Sequence, residues 1–290
     1  KKNIFIIENK NILKKQIIKL GIKIPISKIE KIEDFKREER LFILDVPLKS
    51  KSIFNFTSSM TKDYIFDSFD LAHDLAINNK ILGFINAPID KKIFNNAYLG
   101  VTEYLAQKCN CETKEVMFIY NKNLSVVPLT THIDIKNVTK KINFDLIKKK
   151  LITLNKFYFK LFEKKPKIAI LGLNPHNSED KIQSIENKII KPSIIKLKKL
   201  KININGPFPA DTAFSSQNIK LYDVVVGMYH DQVLAPFKAL YGYDAVNITL
   251  GLKYLRLSPD HGTARNIIGM NKANPQSLIS AINFLNKVND

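Results

Sequence analysis

With 290 residues, 45% of them hydrophobic and 25% charged, the chain can bury a sizeable core as one large or two medium domains. No apolar run nears the ~20 residues that span a bilayer, and Glu8 and Lys10 cut short the apolar start Ile4-Phe5-Ile6-Ile7, so no leader is read and a cytoplasmic protein is expected. The net charge of +19 raises nucleic acid, yet all but four of the 46 cationic side chains are lysines scattered among Ile and Asn, without the Arg forks and stacked aromatics of base reading; neither nucleic acid nor membrane is an expected partner.

In chain order, Ile4–Ile7 reads as a first strand. A helical stripe follows in Ile12, Leu13, Ile17, Ile18 and Leu20, with Gly21 placed to end it at C′. Leu41–Val46 is the next strand, then a helix through Ile65, Phe69, Ala72, Leu75 and Ala76. The strands Leu82–Ile85, Val116–Tyr120 and Ser125–Pro128 come next. The longest stripe has Leu146, Ile147, Leu151, Leu154, Tyr158, Leu161 and Phe162 on one face and stops before Pro166. Lys167–Gly172, Asp223–Gly227 and Val246–Leu250 complete the strands. This alternation predicts an α/β fold with mostly parallel sheets covered by helices on both faces. Cys109 and Cys111, one residue apart and with no second pair, read as reduced free thiols.

In such sheets ligands sit in the loops at the carboxyl ends of strands. The unusual polar residues fall there. His176 follows the strand Lys167–Gly172, and His230 follows Asp223–Gly227. His73, inside a helical stripe, reads as a structural histidine. His132, His176 and His230 could converge on a divalent cation through neutral imidazole nitrogens, with Asp211 and Asp231 as further ligands or as residues orienting the rings. Arg256 is a specific choice in a chain that writes positive charge as Lys, because its fork grips carboxylate or phosphate in two places. Ser258-Pro259-Asp260-His261-Gly262-Thr263-Ala264 is expected to open a helix whose free N–H groups favour phosphate. No GxGxxG and no Walker motif is present. The residues alone therefore point to metal and phosphate chemistry in an α/β enzyme.

Five ordered segments carry a resemblance: Thr130-Thr131-His132, Gly172-Leu173-Asn174-Pro175-His176, Asn205-Gly206-Pro207-Phe208-Pro209-Ala210-Asp211-Thr212, Met228-Tyr229-His230-Asp231-Gln232, and Val246-Asn247-Ile248-Thr249-Leu250 running on to Ala264. Through them the chain resembles the 4-hydroxythreonine-4-phosphate dehydrogenases of vitamin B6 synthesis, from about residue 80 onward. The resemblance implies a two-domain fold like the isocitrate and isopropylmalate dehydrogenases, with the site in a cleft and at a homodimer interface. One α/β domain would comprise 1–105 plus 245–290, on the NAD side; the other would comprise 106–244, with the metal ligands and the dimer contacts. It implies that His132, His176 and His230 bind one divalent metal (Zn, Co, Mn or Mg). Lys238, Asn247 and Arg256, helped by Thr102, would contact the phosphorylated substrate. NAD, with NADP left open, would lie along Asp260, His261, Gly262, Thr263 and Ala264. The implied reaction oxidises 4-phosphohydroxy-L-threonine and decarboxylates it to 3-amino-2-oxopropyl phosphate. Asp211, Asp231 and Lys238 are the candidates for proton transfer.

Three departures accompany the likeness. Where the family reads Gly-His-Thr-Glu, this chain reads Gly100-Val101-Thr102-Glu103. The Gly-rich stretch expected after Asn-Pro-His is the polar Asn177-Ser178-Glu179-Asp180-Lys181. The family's opening strand, turn and helix have no counterpart in this sequence, being either trimmed from it or absent. These leave two other readings: a sister enzyme acting on threonate or erythronate 4-phosphate, and a phosphate-ligand binder without activity.

Overall fold

The computed structural model describes residues 3–36, 38–50, 52–94, 97–98 and 100–288. The strands are β1 (Phe5–Glu8), β2 (Ile26–Ile29), β3 (Leu41–Asp45), β4 (Gly83–Ile85), β5 (Val116–Tyr120), β6 (Ser125–Thr130), β7 (Ile168–Leu171), β8 (Ile204–Phe208), β9 (Val224–Tyr229), β10 (Val246–Leu250) and β11 (Leu255–Pro259). The helices are α1 (Lys10–Lys19), α2 (Ser58–Ile77), α3 (Val101–Lys108), α4 (Ile135–Lys141), α5 (Phe144–Phe162), α6 (Lys191–Lys199), α7 (Ala210–Ala213), α8 (His230–Tyr241) and α9 (Gln276–Lys287). A π-turn, Glu186–Ile190, runs directly into α6.

A small parallel sheet has the order β1-β3-β2, and an eight-stranded sheet has the order β4-β11-β10-β5-β6-β9-β7-β8. The expected α/β class holds, with one qualification. Strands β6, β9, β7 and β8 are parallel, and so are β11 and β4, but β6-β5-β10-β11 run antiparallel to one another. Short connections explain two of these three antiparallel pairs. Only residues 121–124 separate β5 from β6, and only 251–254 separate β10 from β11; links this short reverse the chain and cannot make the crossover that a parallel pair needs.

The central strands alternate between two cores. Val224, Val226 and Met228 of β9 pack with α5 and α6 residues such as Ile147, Leu151, Leu154, Ile194 and Leu197. Val225 turns to the opposite face, with Val233, Leu234 and Phe237 of α8. A strand covered on both sides reads as a continuous apolar run, which is why Val-Val-Val was legible. Each fully buried side chain of this size contributes roughly 1.5–3 kcal/mol over its exposed state.

Helix ends follow their caps. Asn9 accepts the N–H of Ile12 to start α1, and Gly21 follows the helix at φ +68, as a C′ residue. The stripe expected on α1 is only partly used: Ile12 is buried, whereas Ile18 is 67% exposed, since a three-stranded sheet offers little surface to pack against. Asn143 caps α5, which ends on Glu163 in the left-handed conformation, three residues before Pro166.

Three strands escaped the sequence pattern, β2, β8 and β11. In β8, Gly206-Pro207 interrupts the apolar pattern by which the other strands are recognised. The strand lies at the sheet edge, where a missing N–H is tolerated. Gly206 takes φ +134, and a Cβ there would lie 2.3 Å from the Ile170 carbonyl oxygen, so only glycine lets β8 approach β7. Among the described residues no helix is long and apolar enough to cross a membrane.

Candidate functional site

The parallel arrangement sets the carboxyl ends of β6, β9, β7 and β8 side by side, and each is followed by a singled-out residue. His132 comes two positions after β6, His230 opens α8 at the end of β9, His176 lies in the turn after β7, and Asp211 is in α7 after β8. The ends are tied laterally. Thr130 donates its hydroxyl to the Met228 carbonyl at 2.7 Å, and Gln232 donates its amide to the Gly172 carbonyl at 2.7 Å while accepting the Met228 N–H.

This brings two histidines together. The rings of His132 and His230 lie 5.8 Å apart, centroid to centroid, tilted by 39°. Asp231 accepts from His230 Nδ1 at 2.6 Å, which fixes the tautomer and leaves the lone pair on Nε2. Two imidazoles suit a divalent transition ion, but they supply only half of a tetrahedral donor set. His176 and Asp211 are exposed and do not complete it within one chain: among the described residues no three His, Cys, Asp or Glu side chains gather to hold a metal.

The reason for His176 is local. His176, Asn177, Ser178 and Glu179 all take φ between 48° and 56°, a left-handed turn that costs L-residues roughly 1–2 kcal/mol each. Glu186, fully buried, accepts from the N–H groups of Leu173 and Asn174 at 2.9 and 2.8 Å, from the Asn174 side-chain amide at 3.2 Å and from the Ser178 hydroxyl at 3.0 Å. Burial alone would push the Glu186 carboxyl up, but these donors outweigh it and hold it below the usual range.

A second cluster is built inside the fold. Arg256 of β11 is 3% exposed and stands opposite Thr249 of β10. Its Nε donates to Asn86 Oδ1 at 2.7 Å, and its Nη1 donates to the hydroxyls of Thr249 at 3.0 Å and Thr102 at 3.5 Å. Thr102 sits in the first turn of α3, where unpaired N–H groups favour anions. Burial lowers the guanidinium pKa to about 10, with Glu103 acting in the opposite direction, so it stays cationic at neutral pH. Asn247, two residues before Thr249 on the same face of β10, has its Oδ1 buried without a hydrogen-bond partner among the described residues. Thr102, Asn247 and Arg256 were singled out from the sequence as candidates, and Asn86 was not. The signal for Asn86 was its place directly after a strand.

Lys238 ties α8, which His230 opens, to Asp260, the residue after β11. Its Nζ lies 3.0 Å from Asp260 Oδ2, donates to the Asp260 carbonyl at 3.1 Å and stands over the Tyr243 ring. Burial pushes the Asp260 carboxyl up, and Lys238 opposes that. The Asp260 N–H donates to Ser277, which in turn donates to the Ala245 carbonyl, so the loop is pinned at its root. His261, Gly262, Thr263 and Ala264 are exposed. The helix expected after them is a single 3-10 turn, Arg265–Ile267, with Ala264 at φ 47, and the next helix starts only at Gln276. A turn of that length has no row of aligned free N–H groups, so the phosphate-favouring helix terminus in this region is that of α3. The structural role expected of His73 is seen: it is buried with Nδ1 2.8 Å from the Tyr254 hydroxyl. Cys109 is buried at the end of α3 and Cys111 is half-buried.

Likeness to known proteins extends over most of the chain. The sequence model of the family described as pyridoxal phosphate biosynthetic protein PdxA matches residues 1–285. The chain is 35% identical over 284 residues to the 4-hydroxythreonine-4-phosphate dehydrogenase of Wigglesworthia glossinidia brevipalpis, covering 94% of this chain and 84% of that protein. It is 36% identical over 275 residues to the protein of that name from Aquifex aeolicus (strain VF5), covering 93% and 84%. Among solved structures, the 4-hydroxythreonine-4-phosphate dehydrogenase from Klebsiella pneumoniae superposes with a TM-score of 0.85 at 27% identity, over 98% of this chain and 89% of that one.

Proposed function

The chain belongs to the PdxA family of pyridoxal phosphate biosynthetic proteins, and from that premise we propose that it oxidises 4-phosphohydroxy-L-threonine with NAD and decarboxylates the product to 3-amino-2-oxopropyl phosphate. The observation that carries the reading is the buried Arg256, held between Asn86, Thr249 and Thr102 at the first turn of α3. A guanidinium is costly to bury, and here it faces hydroxyls and a helix terminus, a setting that suits a phosphate or carboxylate of the substrate. Asn247, with its unpartnered Oδ1, offers an acceptor to a substrate hydroxyl or ammonium.

His132, His230 and His176 would hold the divalent ion (Zn, Co, Mn or Mg), with His176 coming from a second copy in a homodimer. The pairing of the first two and the outward setting of the third support that division. When bound, the ion supplies a Lewis acid that makes the reacting hydroxyl more acidic and draws off negative charge as CO2 leaves. Asp260, His261, Gly262, Thr263 and Ala264 would hold NAD (or NADP), which would supply the hydride acceptor. The hydroxyl proton would leave to a nearby base, the bond between the α-carbon and the carboxyl carbon would then break with release of CO2, and a proton would return to the α-carbon. Asp211, Asp231 and Lys238 are the groups of the chain suited to carry those protons. In this scheme 1–105 plus 245–290 form the NAD side, and 106–244 carry the metal ligands.

A second reading rests on Val101. Its side chain is buried in the apolar cluster of Phe69, Tyr104 and Leu105, so it offers no hydrogen bond where the resembled family carries His. A substrate without the amino group, threonate or erythronate 4-phosphate, would miss it less. The test is NADH formation from each acid with and without added divalent ion. Metal-dependent turnover of the phosphohydroxythreonine supports the first reading. Turnover of only the other acids supports the second, and inactivity on all of them in folded, metal-loaded protein overturns both.

A further inference from the structure

The turn that carries His176 is held in an unfavourable conformation by one side chain that lies outside every segment singled out above. Four consecutive residues with positive φ, none of them glycine, do not persist on backbone preference, and such turns need their surroundings to over-determine them. Glu186 does so from both sides. It accepts from Leu173 and Asn174 before the histidine and from Ser178 after it. Asn177 adds an anchor by donating its amide to the Pro207 carbonyl at 3.0 Å. Glu186 itself opens the π-turn Glu186–Ile190, a helical irregularity frequent at functional sites. A fully buried carboxylate serving only the outside of a fold would be poorly placed; here all these donors lie within five residues of His176.

We propose that Glu186 is the positioning residue of the metal site, its buried carboxylate fixing the left-handed turn that presents His176. The inference rests on the metal reading above. Glu186 touches neither substrate nor ion and acts through the backbone of the turn.

The test is titration of the metal-free, full-length chain with Co2+, followed by visible absorption, for wild type, Glu186→Gln and Glu186→Ala, each with and without His176→Ala. Amide exchange across 173–178 and melting of the metal-free proteins are read alongside. Glu186→Ala should weaken Co2+ binding about 10–100-fold, as loss of a group that orients a ligand does. Glu186→Gln should weaken it less, because its remaining oxygen still accepts from Leu173 and Asn174; if the Ala variant fails to fold, the Gln variant carries the test. In the His176→Ala background neither change should cost further affinity, and exchange across the turn should quicken in both. Wild-type chain that takes up no Co2+ overturns the metal reading and the inference with it. Wild-type binding that both folded variants match overturns the positioning role alone, as does an equal further loss without His176.

Discussion

The histidine end of the sheet and the Arg256 cluster are built in opposite ways. Around Arg256, strand pairing, burial and three hydrogen bonds fix a cation inside one chain before any ligand arrives. At the ends of β6, β9 and β7, two imidazoles meet and the third stands apart on an exposed turn. On the proposed reading the anion site would be complete and pre-organised within one chain, whereas the metal site would need a donor from outside it. Stability and function should separate accordingly. Changes at Arg256 disturb both, and changes at the histidines disturb function with little effect on folding.

Replacing His230 with Ala is the largest expected break. A Lewis acid supplies several kcal/mol of transition-state stabilisation, so metal-dependent turnover should fall roughly a thousandfold or more, while the melting temperature hardly moves because the ring is half-exposed. Equal loss of melting temperature and turnover would erase the contrast between the two regions.

Arg256→Lys comes next. An ammonium cannot serve Asn86, Thr249 and Thr102 together, so the substrate concentration needed should rise about 10–100-fold, matching the loss of one charge-assisted hydrogen bond. Unlike the histidine variant, this one should also lose about 1–3 kcal/mol of stability in denaturant titrations, the cost of stranding buried acceptors. A variant with normal stability and raised KM would place Arg256 at the surface of the site instead.

The smallest effect sharpens the link between the regions. Lys238→Met removes the cation beside the buried Asp260 carboxyl, with an expected cost of about 1 kcal/mol at neutral pH, since Lys238 is one-third exposed. The folded-state pKa of Asp260 lies above its ordinary value. Both proteins therefore carry a neutral Asp260 in acid, and the difference in melting temperature should close as pH falls through that raised pKa. A gap that widens in acid would contradict the ion pair.

Much of the fold was legible because burial leaves regular marks. Val224–Val226 is covered on both faces and was read as a strand, and the stripe of α5 faces the largest core. Edge strand β8 was not read, since its Gly206-Pro207 is tolerated only where no neighbour needs the missing N–H. In the candidate sites, residues at strand ends were visible from topology alone, His132, His176 and His230 among them. Asn86 and Glu186 were not. Glu186 stands in a lysine-rich stretch where a carboxylate reads as surface, and only the tertiary fold shows that it is buried beneath the His176 turn. The expected helix after Ala264 failed for a related reason: glycine and small residues mark a close turn but do not fix the conformation of the chain beyond it.

The central claim is that the phosphate site is complete in one chain and the metal site is completed by a second copy. The direct test mixes two separately inactive proteins, His176→Ala and His230→Ala, after exchange of subunits. In a mixed dimer one site would receive an intact His132 and His230 from one chain and an intact His176 from the other, so metal-dependent NADH formation should return on mixing. Turnover that stays absent although mixed dimers have formed would contradict the account and require all three histidines to meet within a single chain.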